Sequence, residues 1–590
     1  MARIDPHSYA DDGQPSVTHL DWDARVDFGA TVITAEAVLR LAAAPVEAVP
    51  LDLDTRGLVI ETVETERGQS LAWDLADPDP VLGARLRVHL TAGVDGLRIR
   101  YRTGPNASAL QWLAPDQTSS GAPFLYSQCQ AIHARSLIPV QDTPSRRITY
   151  TAALRVPSDL QALMAAEALG TEPSGGATAV ARFRMPQPIA PYLFALAVGM
   201  LEARDLGART RVWAEPAILD AAAHEFADVD AMLTTGERLF GPYDWERYDL
   251  LVLPAAFPYG GMENPRLTFL TPTVVAGDRS QVSVVAHELA HSWTGNLVSN
   301  ANAEHFWLNE GFTTYAERRI VEALSGVEAA ALDWALGRRA LDEAIALFKQ
   351  QGQTALTLLR TRLEGLDPDE GYSVVPYEKG ALFLRALEDA VGRERFDHLL
   401  HAYITRFRFQ ALTTEDFEAF AEEQLPGALA LVGSERWLRE PGVPSDAPRM
   451  STARLDAIES LGTRLPSDTE AAAWRAVEWE LYVESLPEDV STDVLAEIDG
   501  RFHLTAAKGY DVLTAWLALG LKRGYAPAVA RAEEVLGTVG RMKYLKPLYR
   551  VMAGRAETRQ LARALYDRFQ PRYHPIARQV IPGVLESAGG

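Results

Sequence analysis

The sequence predicts a multidomain α+β protein that is β-rich at its start, mixed in its middle and helical at its end. Three observations carry this. The chain has 590 residues, more than one hydrophobic core organises, which points to three or four domains. Short alternating runs dominate up to about Leu206. Helical spacing takes over after Gln281 and is unbroken by strand patterns beyond a proline-rich stretch near 439–450.

In the first third, "GLVIETVETERG" (57–68) and "RLRVHLTAGVDGLRIRYRTG" (85–104) alternate with period two, the second broken by a Gly-containing turn. These place a β-rich domain over 1–206. Strands and helices then mix, which gives a second domain over 207–438. "REPGVPSDAPRM" (439–450) concentrates prolines and polar residues, so 439–455 reads as a linker. Beyond it, "TEAAAWRAVEWELYVESL" and "YAPAVARAEEVLGTVG" carry apolar residues at helical spacing. Pro527 suits a first helical turn and Gly540 a C-terminal cap. Several such helices in 456–590 suggest stacked helical pairs.

Composition narrows the function classes. Hydrophobic residues are 47% and charged residues 23%, the balance of a globular protein. A net charge of −22 argues against nucleic-acid or anionic-membrane partners, which require a basic face. Cys129 is the single cysteine, so no intrachain disulfide can form. No run reaches the ~18–20 apolar residues of a membrane span, and the start lacks a signal-peptide core. A cytoplasmic enzyme without an obligate protein partner is the expectation.

The chemistry concentrates in "VVAHELAHSWTGNLVSNANAEHFWLNEGFTTYAER" (284–318). "DRSQVSVVAHELAHSWTG" has helical character, with Asp278 and Gln281 in a capping-box pattern and Gly295 to end it. His287 and His291 are then about one turn apart and project from one face, where two nitrogens can reach one Zn²⁺ at ~2.0–2.1 Å. Glu288 lies ~100° around the helix, beside such a metal as a base. A catalytic zinc needs a third protein ligand, and "EHFWLNEGFTTYAERRIVEALSG" offers Glu310 on a second helix. Glu317, two turns further on the same face, is placed to buttress a ligand. With 12 His and at most 79 Glu in the chain, about 0.03 chance H-E-x-x-H matches are expected. A merely solvated helix face is the alternative, but Ala286, Leu289, Ala290 and Trp293 surround the histidines.

The H-E-x-x-H-x18-E pattern with upstream "GGMEN" resembles the gluzincin aminopeptidases. "SQCQAIHARSLIPVQDTPS", "FPYGGMENPRLTFLTPT", "HFWLNEG", "YSVVPYEKG" and "GRMKYLKPL" are similar to motifs of the leukotriene A(4) hydrolase/aminopeptidase branch, in order from 127 to 548. The resemblance implies a β-rich saddle, a thermolysin-like catalytic domain and an α-helical C-terminal domain. It also implies one Zn²⁺ per chain and short peptide substrates of about tripeptide size. Glu263 would bind the free α-amino group with Gln130 beside it, and Gly260 and Gly261 would meet the substrate backbone. Tyr377 would stabilise the oxyanion, and Arg541 and Lys543 would hold the far carboxylate. Residues two apart in an extended segment point to one side, which would let Arg541 and Lys543 share that carboxylate.

Chemistry supports the amine anchor. An exopeptidase must recognise an amine largely protonated near neutral pH, and an enclosed carboxylate does so while disfavouring internal peptide bonds. The branch has a second activity, opening of a lipid epoxide, for which Asp369 and Tyr372 match the positions used. Ala303 stands where the vertebrate hydrolase carries a large aromatic, so a lipid groove here would differ in shape. Taken alone, an Asp in "GLDPDEGY" reads as a solvated loop carboxylate. A catalytically silent peptide-binding protein is the alternative from another class, and an endopeptidase with the same zinc core is a further one.

Overall fold

The computed structural model describes residues 3, 5–279, 282–450 and 452–588. Gln281 of the expected capping box lies outside them, and helix α1 (Val282–Ala290) begins directly after. Three regions follow one another along the chain, in the order β-rich, mixed and helical.

The first region is built on a seven-stranded sheet whose centre is Val17–Asp27, paired in parallel with Ile148–Pro157 and antiparallel with Val32–Leu41. Ile148–Pro157 alternates buried and half-buried residues along its whole length, so one face of the sheet makes core. A second sheet joins Gln161–Met164, Leu196–Gly199, Phe124–Ser127 and Leu110–Leu113. Phe124–Ser127 and Leu196–Gly199 in it are buried throughout. The two strands seen in 85–104 do not pair with each other. Ala84–Leu90 pairs with Val49–Thr55 and Ala72–Leu75, whereas Gly96–Arg102 enters the large sheet. The intervening turn is therefore a passage between sheets.

The middle region opens with a five-stranded sheet in which Thr210–Ala214, Tyr248–Val252 and Leu267–Leu270 run parallel. Glu202–Asp205 forms a hairpin with Thr210–Ala214, so residue 206 falls inside the turn of that hairpin. At the other edge lies the two-residue strand Gly261–Met262, paired only through Leu270 and Phe269 among the described residues. Helix α1 packs on the edge strand Gly261–Met262 and on helix α2 (Trp307–Ser325), and α2 packs on helix α3 (Gly380–Val391). The α2–α3 crossing is tight. A Cβ on Gly311 would lie 2.8 Å from the Cα of Gly380, so glycine at both positions lets the backbones meet.

Helix α2 is closed at its C-terminus by Gly326, at φ +89°, as its sequence suggests. Helix α1 instead ends at Ala290. The His291 N–H still bonds the His287 carbonyl at 3.2 Å, which holds His291 on the same helical face. Gly295 follows with φ +111°, in the irregular turn after the helix.

Residues 441–450 hold no regular element, as the proline-rich composition suggests. The helical region beyond has a hydrophobic core of its own, into which Leu332 and Ala335 of the helix Val327–Gln350 of the middle region are inserted. The amphipathic stretch 469–486 is split into two helices, Asp468–Ala473 and Ala476–Ser485, at the extended Trp474–Arg475. Pro527 does occupy the first turn of Ala526–Thr538. Gly540 is not its cap. That helix ends at Thr538 with Val539 as its cap, and Gly540 instead lies against the middle region. Its N–H donates to the Ala255 carbonyl at 2.7 Å, and the Met542 N–H donates to the Pro258 carbonyl at 2.8 Å. A Cβ on Gly540 would stand 2.4 Å from the Ala256 oxygen, so only glycine permits this docking. Helix α4 (Met542–Gly554) starts at the same point.

Candidate active site

A cleft of about 260 Å³ opens where the three regions meet. Gln130 comes from the first, the segment 259–263, α1, α2, Tyr372 and Tyr377 from the second, and Arg541 from the third.

At its floor three donor atoms converge. His287 Nε2 and His291 Nε2 are 3.2 Å apart, and Glu310 Oε2 is 3.3 Å from the first and 3.4 Å from the second. The other ring nitrogens are committed elsewhere. His287 Nδ1 faces Glu317 Oε2 at 3.0 Å, and His291 Nδ1 faces the Thr294 carbonyl at 3.2 Å. An N–H on each Nδ1 satisfies these acceptors and leaves both Nε2 lone pairs facing each other and a carboxylate oxygen. Glu310 Oε2 is buried and receives no hydrogen bond among the described residues. Three lone pairs converging in a buried site form a cradle suited to a cation. The centre of a triangle of these sides is about 1.9 Å from each corner, close to the ~2.0–2.2 Å of zinc bonds to nitrogen and oxygen. Two imidazoles and one carboxylate with an open side are the donor set of a catalytic zinc.

Glu288 also lines the cleft. It is 6% exposed, and no hydrogen bond among the described residues reaches its carboxylate. Burial pushes its carboxyl up to about 7, against the pull of His287 and His291. Such a group exchanges protons near neutral pH. Gly261 faces it so closely that a Cβ would lie 2.3 Å from Glu288 Oε1. Gly260 is hemmed in likewise by the Arg541 guanidinium at 2.5 Å. A side chain at either glycine of the GGMEN motif would displace one of these two functional groups.

Glu263 is 3% exposed and held from two sides. Its carbonyl accepts from Asn296 Nδ2 at 2.6 Å and its Oε1 from Gln130 Nε2 at 3.2 Å. Gln130 is oriented in turn, since its Oε1 accepts from the Tyr372 hydroxyl at 2.7 Å. Burial and then the charge of nearby Glu310 raise the Glu263 carboxyl above its ordinary range, against the pull of His291. No lysine or arginine pairs with it among the described residues, so a cation of the ligand is a fitting partner. Tyr372, Phe306 and Tyr377 form an aromatic wall, with Phe306 and Tyr372 ring centres 5.1 Å apart. The Tyr377 ring stacks on His287 at 5.9 Å. Burial and then Glu310 raise the Tyr377 phenol well above its usual pKa, so it remains a donor.

Two expected positions are placed differently. Arg541 lines the cleft, bonded to the Tyr544 hydroxyl at 2.7 Å, and its Nε has no hydrogen-bond partner among the described residues. Lys543 does not. The segment is not extended past Arg541, because α4 begins at Met542, and Lys543 turns away to pair with Asp511 at 2.7 Å. Asp369 is no solvated loop carboxylate. It is 5% exposed, and its Oδ2 lies 2.8 Å from His133 Nε2. It does not line the cleft. Sequence reasoning missed His133, although it sits in the "SQCQAIHARS" stretch. Also missed were Thr294 and Thr313, which fix the His291 ring, and Asn296, which holds Glu263.

Comparison with known proteins agrees with this geometry. Residues 17–193 match the peptidase M1 N-terminal domain, 225–437 the peptidase family M1 domain, and 474–585 the leukotriene A4 hydrolase C-terminal domain. The chain is 36% identical over 603 residues to a leukotriene A-4 hydrolase of Xenopus laevis, covering 98% of each protein. It is also 36% identical over 569 residues to leucine aminopeptidase 2 of Yarrowia lipolytica, covering 91% of this chain and 86% of that one. Among solved structures it is similar to yeast LTA4 hydrolase in complex with bestatin, with a TM-score of 0.90 and 32% identity over 99% of this chain and 97% of that chain.

Proposed function

The chain belongs to peptidase family M1, in the branch with a leukotriene A4 hydrolase C-terminal domain, and is a zinc aminopeptidase; we propose that it releases single residues from the free amino end of short peptides. The observation that carries this reading is the buried, cation-free Glu263 beside the three converging zinc donors.

Zinc held by His287, His291 and Glu310 would supply a Lewis acid that polarises the scissile carbonyl and lowers the pKa of a water. Glu288 takes a proton from the attacking water and passes it to the departing amine nitrogen. Tyr377 donates a hydrogen bond to the carbonyl oxygen as it gains charge. Glu263, steadied by Gln130 and Asn296, pairs with the substrate α-ammonium and sets where the chain is cut. The free edge of Gly261–Met262 offers main-chain groups to an extended peptide, and Arg541 receives its far carboxylate. Holding both ends of the peptide in one cleft favours short substrates, of about three residues as the resemblance implies.

The epoxide-opening alternative would use Asp369 together with Tyr372. The engagement of Asp369 with His133, away from the cleft, favours the peptidase reading. No described helix is long and apolar enough to cross a membrane. We propose the cytoplasm as its compartment. Turnover of aminoacyl anilides with free and acetylated amines tests the function: only the free-amine substrate should be cleaved. Equal cleavage of both would make the protein an endopeptidase.

A further inference from the structure

The segment ahead of the first strand is buried against two regions at once. Asp5, His7, Ser8 and Ala10 are essentially inaccessible. Its backbone is locked to the first region, where the His7 carbonyl accepts from Arg135 at 2.7 Å. Ser8 Oγ and the Tyr9 N–H bond the buried Asp54 at 2.6 and 2.8 Å. The His7 ring points the other way, into the catalytic region. Its Nε2 lies 3.0 Å from the Leu363 carbonyl and 2.9 Å from the Leu366 carbonyl. Both partners can only accept, so this nitrogen carries a proton shared between them.

Leu363 to Leu366 is a tight turn, closed by the Leu366 N–H on the Leu363 carbonyl at 3.0 Å, with Gly365 at φ +78°. The chain runs from this turn straight into the cleft wall. Asp367 caps the short helix Pro368–Gly371 through the Asp369 N–H at 3.0 Å and accepts from Gln579 at 3.1 Å. Asp369 is held by His133, and Tyr372 follows with its hydroxyl on Gln130. Every link from residue 7 to the amine anchor is thus a hydrogen bond or a few residues of backbone.

We propose that His7 is a positioning residue for the peptidase reaction: by pinning the Leu363–Leu366 turn it fixes Tyr372, and through Tyr372 and Gln130 it orients Glu263 toward the substrate amine. This rests on the aminopeptidase reading above. The His7 ring touches neither the zinc donors nor Glu288, so its loss should weaken substrate capture and leave the chemical step alone.

The test uses zinc-loaded full-length enzyme with a free-amine aminoacyl anilide. His7→Ala and the bulk-preserving His7→Phe both remove the N–H, and His7→Gln keeps a donor. The expected result is a KM about tenfold higher for the first two, kcat within about twofold, unchanged zinc content, and recovery of most of the KM in His7→Gln. Tyr372→Phe should raise KM too, and His7→Phe combined with Tyr372→Phe should be no worse than the poorer single variant, because both cut one relay. Wild-type KM in His7→Phe, or effects of the two substitutions that simply add, would overturn the proposal. Failure of the wild type to discriminate free from acetylated amines would sink the aminopeptidase reading instead, so the two failures are distinguishable.

Discussion

Glu317 Oε2 lies 3.0 Å from His287 Nδ1, on the same helix that supplies Glu310. One helix therefore provides both a ligand and the group that fixes another ligand's tautomer and ring plane. Glu317→Ala should weaken zinc binding about 10- to 100-fold, the usual cost of losing such a partner. Competition with a chromogenic chelator measures it, and unaltered affinity would remove Glu317 from this role.

Glu288→Gln should keep one zinc per chain while kcat falls about 100- to 10,000-fold, the contribution of a positioned general base. The amide is the same shape and fits under Gly261. Metal analysis on the purified variant alongside turnover separates loss of the base from loss of the metal. Near-normal turnover would reassign the proton transfer.

Arg541 and Lys543 should behave oppositely. Arg541→Ala should raise KM for a tripeptide by about 30-fold or more, as expected for removing one partner of a buried charge pair, and should spare the tripeptide amide. Lys543→Ala, which breaks the pair with Asp511, should leave both within about twofold. A tripeptide-specific loss in Lys543→Ala would show that its ammonium reaches the substrate.

Lys379, two residues after Tyr377, gives a pH signature. It is fully buried, its ammonium donating, among the described residues, to the Thr357 and Glu440 carbonyls at 2.8 and 2.9 Å. Burial lowers its pKa from 10.5 to about 7. Between these values the unfolded chain binds the extra proton and the folded one does not, so stability rises with pH across that window. The cost is fully present below pH 7 and gone above 10.5. The slope contributed is at most about 1.4 kcal/mol per pH unit. Denaturation of wild type and Lys379→Met from pH 6 to 10 should show the wild type gaining on the variant as pH rises; parallel curves would contradict this.

The zinc donors were legible because helical period is local. Two imidazoles four apart share a face, and Glu310 with Glu317 repeats that logic on the next helix. Strand pairing was not, since 85–104 contains two sound strands whose partners are set by residues far along the chain. Lys543 misled because a helix begins between it and Arg541, which turns a period of two into one of 3.6. Asp369 looked solvated for want of a signal linking it to His133, 236 residues away. The buried N-terminal segment was invisible for the same reason. Its polar residues read as surface until Asp54, Arg135 and two distant carbonyls are brought to meet them.

The main-chain bonds from Gly540 and Met542 to the loop before GGMEN make the helical region one jaw of a caliper. Its opening is set by peptide groups, which cannot swing as side chains do. Each added substrate residue lengthens an extended peptide by ~3.3–3.6 Å. If Arg541 receives the far carboxylate as proposed, a peptide too long for the span to Glu263 has to bind without gripping that end, and length preference is then expected to follow from this docking.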